Sequence, residues 1–175
     1  MKRIVRIAAG IITALTAIMS TSGEAKASSH FGWGADVGTS IDVSSHDMST
    51  LNLDAYFGYK NSIIDLAGIG AGIHMMVSNS CRAFPVYALL RTSFRPEPSL
   101  CFMDLRGGVA FNSLSNDKNQ VSVWLNPGIG FNLARGKTFR SFIVVGYIYN
   151  GMKSFGDTKI AGGLSMVNFR FGVTF

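Results

Sequence analysis

Phe31-Gly32-Trp33-Gly34-Ala35-Asp36-Val37-Gly38-Thr39-Ser40-Ile41-Asp42-Val43-Ser44 alternates without a break. Phe31, Trp33, Ala35, Val37, Thr39, Ile41 and Val43 share one face; Gly32, Gly34, Asp36, Gly38, Ser40, Asp42 and Ser44 share the other. Successive side chains of a strand point to opposite faces, so this stretch predicts a strand with one apolar face and one small, polar face. The polar face is rich in glycine rather than lysine and glutamate, which suits a crowded interior better than a watered surface.

The same pattern recurs seven more times. The second segment sets Leu51, Leu53, Ala55, Phe57 and Tyr59 against Asn52, Asp54, Tyr56, Gly58 and Lys60. The third sets Ala67, Ile69, Ala71, Ile73, Met75 and Val77 against Gly68, Gly70, Gly72, His74 and Met76. The fourth has Phe84, Val86, Ala88, Leu90, Thr92 and Phe94 opposite Tyr87, Leu89, Arg91, Ser93 and Arg95. In the fifth, Met103, Leu105, Gly107, Val109 and Phe111 oppose Phe102, Asp104, Arg106, Gly108, Ala110 and Asn112. In the sixth, Val121, Val123, Leu125, Pro127, Ile129, Phe131 and Leu133 oppose Ser122, Trp124, Asn126, Gly128, Gly130 and Asn132. The seventh, Phe139 to Tyr149, is apolar on both faces, so its register is open. The eighth sets Val167, Phe169, Phe171, Val173 and Phe175 against Asn168, Arg170, Gly172 and Thr174.

None of these apolar faces carries Asp, Glu, Lys or Arg; Asp65 shares the third face's parity but precedes it. The connections alternate as well. Asn61-Ser62, Pro96-Glu97-Pro98-Ser99 and Arg135-Gly136-Lys137 are short, while those around Ser45–Ser49, Ser78–Ala83, Ser113–Gln120 and Asn150–Ile160 are on average longer and more polar. Phe31, Trp33, Phe57, Tyr59, Phe94, Phe131, Phe139 and Phe175 fall at strand ends near the short turns, as an aromatic girdle would. Together these features predict an all-β fold: an eight-stranded antiparallel up-and-down transmembrane β-barrel. A secreted soluble barrel that binds a ligand also alternates along eight strands, but it points its apolar face inward and its charged face to water.

The start of the chain reads differently. Met1-Lys2-Arg3 and Arg6 are basic, Ile7 to Met19 is apolar, and Ala25-Lys26-Ala27 offers a small-residue cleavage site. A charged, then apolar, then small-residue order predicts a signal peptide over residues 1–27, with the barrel domain over 28–175. The apolar run is shorter than the ~20 residues a spanning helix needs. Removing Lys2, Arg3, Arg6, Lys26 and Glu24 halves the formal net charge of +6, and the remainder is too scattered to suggest nucleic acid. Past residue 27 no window is apolar enough for a spanning helix. A membrane crossing would therefore use strands closed into a barrel.

Val167-Asn168-Phe169-Arg170-Phe171-Gly172-Val173-Thr174-Phe175 resembles the terminal strand of outer-membrane barrels. The mature chain resembles the small eight-stranded group typified by the outer-membrane protein A barrel and its loop-only relatives. That resemblance implies outer-membrane lipid as surroundings. It also implies that the alternate residues Phe171, Val173 and Phe175 are a signal read by the barrel-assembly machinery. Pro127 departs from the pattern, because a closed barrel has no free edge to accommodate it, so a bulge or local break is expected there.

Few residues suggest chemistry. His30 lies at the first strand's start, His46 in the first long connection and His74 on the polar face of the third segment. Some small barrels of the resembled compartment modify lipid A, and Ser44-Ser45-His46-Asp47-Met48-Ser49 offers the residue types for such a site. Neighbours in sequence seldom form a triad, however, and a polar loop is the simpler reading. Gly68-Ile69-Gly70-Ala71-Gly72 lacks the G-x-G-x-x-G spacing and a following helix, so it reads as inward positions where the lumen is tight. Cys81 and Cys101 are expected at opposite ends of the barrel and therefore unbridged. No cofactor or metal signature is present.

Counting inward residues from the short-turn ends puts Asp36, Asp54 and Asp104 at heights similar to Arg91, Arg106 and Arg170. Asp104 should lie beside Arg91, and closure of the first strand on the last should bring Asp36 beside Arg170. The expectation is a mid-lumen ion-pair layer that plugs an interior already narrow with eight strands. The function that follows is a non-catalytic, monomeric outer-membrane barrel with a structural or surface-interaction role, its extracellular partner not named by the sequence. A lipid A-modifying enzyme, a narrow pore and a soluble ligand-binding barrel are the alternatives.

Overall fold

The computed structural model describes residues 30–44, 46, 48–61, 64–77, 81–94, 99–113, 119–136, 139–155, 158–160 and 162–175. The expected signal peptide, the cleavage at Ser28 and the inward place of Arg95 lie outside the described residues. Eight long strands form: β1 (Phe31–Asp42), β2 (Thr50–Tyr59), β3 (Leu66–Met76), β4 (Arg82–Ser93), β5 (Cys101–Ser113), β6 (Gln120–Arg135), β7 (Arg140–Asn150) and β10 (Leu164–Thr174). Between β7 and β10 the two-residue strands β8 (Ser154–Phe155) and β9 (Thr158–Lys159) make a small hairpin inside a long connection.

Each long strand pairs antiparallel with its neighbours in the chain, and β1 pairs with β10 to close the barrel. The fold is therefore an eight-stranded up-and-down barrel. The closing ladder runs from Gly34↔Thr174 to Asp42↔Met166. It is extended by Phe175 N–H bonding the Trp33 carbonyl at 2.8 Å, with the two rings stacked outside at 4.5 Å. Ala35 and Val173 are paired next to that stack and are both buried, although they lie on the outward face.

Polarity decides the surroundings. The outward face is apolar and bare: Phe57 is 59% exposed, Ile69 55%, Val123 58% and Ile129 51%. The charged residues Asp36, Asp54, Arg91, Asp104, Arg106 and Arg170 point inward, none more than 3% exposed. A barrel in water has the reverse order, whereas a barrel in lipid must turn apolar side chains out and satisfy every backbone group within the sheet. This is the transmembrane form. The open register of the seventh segment resolves with Phe142, Val144 and Ile148 inward and Ile143, Val145 and Tyr147 outward.

Proline interrupts the ladders without breaking the barrel. Pro127 keeps its place opposite Leu105 on β5, but the rungs to β7 skip Asn126 and Pro127 and resume in the same register. Proline has no N–H to give that neighbour. The one register shift in this ladder sits lower, between Asn132 and Ala134. Pro85 does the same on β4, where the rungs to β3 jump from Val86 to Ala83.

Candidate functional site: the charged lumen

Asp104 is the centre of the interior. Its Oδ2 accepts from Arg91 Nη2 at 2.6 Å and Nε at 3.0 Å. Its Oδ1 accepts from Arg106 Nε at 2.8 Å and from Arg170 Nη2 at 3.1 Å. One carboxylate thus holds three guanidinium groups from β4, β5 and β10. Charged hydrogen bonds of this kind are the strong ones, and a buried charge needs them.

The remaining acids answer the remaining positive charge. Arg106 Nη2 donates to Asp36 Oδ2 at 2.5 Å, which braces β5 against β1 across the lumen. Asp54 Oδ2 meets His74 Nε2 at 3.3 Å, while its Oδ1 stands 4.0 Å from Arg106 Nη1. Tyrosines complete the arginines: Arg106 donates to Tyr87 Oη at 3.2 Å, and Arg91 to Thr174 Oγ1 at 3.1 Å, close to Tyr56. The Arg91 guanidinium also lies 4.2 Å from the Phe142 ring centre and 4.9 Å from that of Phe102.

All six charged residues singled out from the sequence meet in this network. The pairing of Asp104 with Arg91 is between Cα partners on adjacent strands. Asp36 and Arg170 come only to 4.0 Å, because their Cα partners are Gly172 and Gly38 respectively, and Arg106 is the nearer cation. His74 joins through Asp54, a contact the height count did not reveal; both residues lay on inward faces and are two rungs apart across the β2–β3 ladder.

Above and below this layer the lumen changes character. Toward the long loops, Asn112 Nδ2 donates to Ser122 Oγ (2.7 Å), Ser122 to Asn150 Oδ1 (2.5 Å) and Asn150 Nδ2 back to Asn112 Oδ1 (2.9 Å). Met48, Met76, Cys81, Met152, Ile160 and Leu164 are buried at that end, making an apolar cap that sequence reading did not foresee. Met76 does fall on the polar parity of its segment, which was the available signal. Toward the short turns Leu66, Phe102 and Phe142 fill the interior, with the two Phe rings edge to face at 5.5 Å.

The other candidates take structural places. Asp42 accepts from the backbone N–H of Ser44 (2.7 Å), His46 (2.7 Å) and Met48 (3.2 Å), and from the Ser44 hydroxyl (2.5 Å). With that proton directed at Asp42, the Ser44 oxygen can only accept from His46 Nδ1, 2.9 Å away. A serine nucleophile needs the opposite order, donating to a histidine base that a carboxylate orients. Ser45 and Asp47 lie outside the described residues. His30 stacks on Tyr59 at 5.6 Å. Gly70 is required by packing, since a Cβ there would stand 2.6 Å from the Tyr87 ring. Cys81 is a buried free thiol at the long-loop end, and Cys101 a half-buried one at the other.

No protein family matches the chain, and no curated protein does. Solved structures do. A de novo designed transmembrane β-barrel superposes with a TM-score of 0.51 at 12% identity, over 82% of this chain and 93% of that one. The N-terminal β-barrel domain of Pseudomonas aeruginosa OprF gives 0.50 at 11%, over 82% and 97%. Neisserial surface protein A gives 0.50 at 13%, over 83% and 96%. This chain has the fold of the small outer-membrane β-barrels. At these identities the likeness is one of strand number, path and closure. The small outer-membrane barrel fold hosts different roles, so the role has to be argued from this chain's own lumen and loops.

Proposed function

We propose that the chain is an integral outer-membrane protein of a Gram-negative bacterium, without catalysis, that serves as a structural or surface-interaction barrel and whose lumen is plugged. The observation that carries this reading is Asp104, fully buried and held by Arg91, Arg106 and Arg170 at the middle of an interior with aromatic rings on both sides. An eight-stranded barrel has an interior just wide enough for side chains to fill, and these side chains fill it with matched charge. The apolar outer face favours lipid. In this reading residues 1–27 direct export, the short turns face the periplasm, and Phe171, Val173 and Phe175 are recognised during assembly. The mature barrel is monomeric in the membrane.

The catalytic alternative is weakened by the hydrogen-bond order at Asp42, Ser44 and His46, which does not activate a hydroxyl. The test of the plug is single-channel recording of the purified barrel in a planar bilayer. Current at the leak level is expected; large, steady conductance would replace the plug with a pore. Fractionation that leaves the protein in salt- and carbonate-washed outer membranes is expected too, and release by salt alone would contradict membrane insertion.

A further inference from the structure

Arg82 opens β4 on the outward side, exposed and in step with the exposed Phe84, Val86, Ala88 and Leu90. Among the described residues of the eight long strands it is the one charged side chain on that side. Arg135, past the register shift of β6, shares a rung with Arg140, which lies on the inward parity of β7. Each lumen arginine has a carboxylate within reach, but no described residue accepts from the Arg82 guanidinium. Its Cα partners are Met75 on β3 and Ser113 on β5, and neither carries a charge to answer it. One outward step below lie Phe84 and Phe111, Cα partners of each other and both exposed. The β3–β4 register puts Ile73, also exposed, beside Phe84.

The height of Arg82 follows from its own strand. Phe84 and Phe94, both exposed, mark the two ends of the outward apolar run of this segment. At about 3.4 Å per residue and a tilt of ~40°, they stand roughly 26 Å apart along the barrel axis, close to the ~25 Å band that such barrels present to hydrocarbon. Arg82, further out than Phe84, is therefore at headgroup level beside the long loops. A guanidinium there without an acid from its own chain takes an anion from its surroundings, and its planar fork fits phosphate with two parallel bonds. The wall below selects the kind of phosphate. Phe84, Phe111 and Ile73 offer acyl chains an apolar surface continuous with the cation, which a free anion would leave unused. We propose that Arg82, with the Ser113 hydroxyl beside it, is a headgroup site for a phosphorylated membrane lipid, its phosphate on the guanidinium and an acyl chain along Phe84 and Phe111. Naming that lipid as lipid A rests on the outer-membrane place proposed above; a site for a lipid phosphate does not.

The test is native mass spectrometry of the refolded barrel in detergent micelles, titrated with bisphosphorylated lipid A and with the same lipid stripped of its phosphates. The unaltered barrel is expected to retain the phosphorylated form preferentially. Arg82→Gln is expected to weaken that retention about fivefold, the effect of one cation at a lipid surface, and Arg82→Lys to recover part of it. Arg82 is exposed at the rim, so both variants should keep the heat-modifiable mobility of the folded barrel. Lys153→Gln, which removes an exposed cation from the same end, is expected to retain lipid A as the unaltered barrel does. Equal retention of the two lipids, undiminished retention in Arg82→Gln, or an equal loss in Lys153→Gln overturns the site. So does displacement of the lipid by excess inorganic phosphate, which would leave an anion site without acyl contact. Failure of the outer-membrane reading shows differently, as fractionation that finds the protein elsewhere while retention in micelles still depends on Arg82.

Discussion

Arg106 and Asp36 join strands that stand opposite each other in the barrel, Nη2 to Oδ2 at 2.5 Å, with both side chains wholly buried. Backbone ladders connect only neighbours, so this pair ties opposite walls together directly.

Removing one side of the brace leaves its partner charged and unpaired. Asp36→Ala and Asp104→Ala are expected to cost roughly 3–5 kcal/mol each, less where lumen water reaches the exposed guanidinium. Asp65, nearer the rim, is held by Arg140 at 3.4 Å and by the Ser93 hydroxyl at 2.5 Å, and should cost less, about 1–2 kcal/mol, when changed to alanine. Urea unfolding of the three variants in detergent checks the ranking; equal costs would contradict it.

The ring stack of Trp33 on Phe175 lies outside the closing ladder. Such a pair contributes about 0.5–1.5 kcal/mol beyond its buried area, so Trp33→Ala should lower refolded stability modestly. Deleting Phe175 should do more in cells than in detergent, if assembly reads the terminal strand. Comparing heat-modifiable barrel in cells with refolding yield separates the two effects, and unchanged cellular levels would count against recognition.

Gly70→Ala places a methyl group against the Tyr87 ring, whose hydroxyl receives Arg106. Overpacking of this kind typically costs about 1–3 kcal/mol. The loss should appear as a lower thermal midpoint, with the strand content seen by circular dichroism preserved.

Cys81 is 1% exposed beneath the long loops, while Cys101 is half-buried near the opposite end. A small maleimide is expected to modify Cys101 in the folded barrel and Cys81 only after unfolding. Mass mapping of the labelled peptides checks this, and a Cys81–Cys101 bridge in the map would contradict the strand order.

His46→Ala and Ser44→Ala remove part of a loop staple rather than a reacting group. The lipid A mass spectrum of cells producing either variant should match that of cells producing the unaltered protein. A lipid A species that disappears with either substitution would establish the enzyme.

Strand number, facing and connection order were legible because a period of two can be read from neighbours alone. Ile69 or Val123 needs no tertiary information to be assigned outward. The pairing of Asp104 with Arg91 was legible for the same reason, since adjacent strands share a ladder. The Arg106–Asp36 brace was not, because strand tilt sets which inward residues meet across the lumen, and tilt is fixed only when β1 finds β10. The His74–Asp54 contact was hidden by the same offset. Pro85 passed unnoticed beside Pro127 although both interrupt a ladder, because one skipped set of rungs does not disturb the alternation of the strand that bears it.

Closure has a kinetic side. Every ladder of the barrel but one links long strands that follow each other in the chain, with only the small β8–β9 hairpin between β7 and β10, and these can form as soon as two neighbours exist. The ladder from Gly34↔Thr174 to Asp42↔Met166 links the first strand to the last, so its loop-closure entropy is the largest in the molecule. Until it forms, β1 and β10 each expose a row of unpaired backbone groups, the state in which sheets recruit foreign strands. Truncating β10 therefore yields an open sheet with two reactive edges rather than a slightly smaller barrel. Variants that weaken this seam should reveal themselves as aggregation during refolding, beyond what their modest loss of stability in the finished fold would produce.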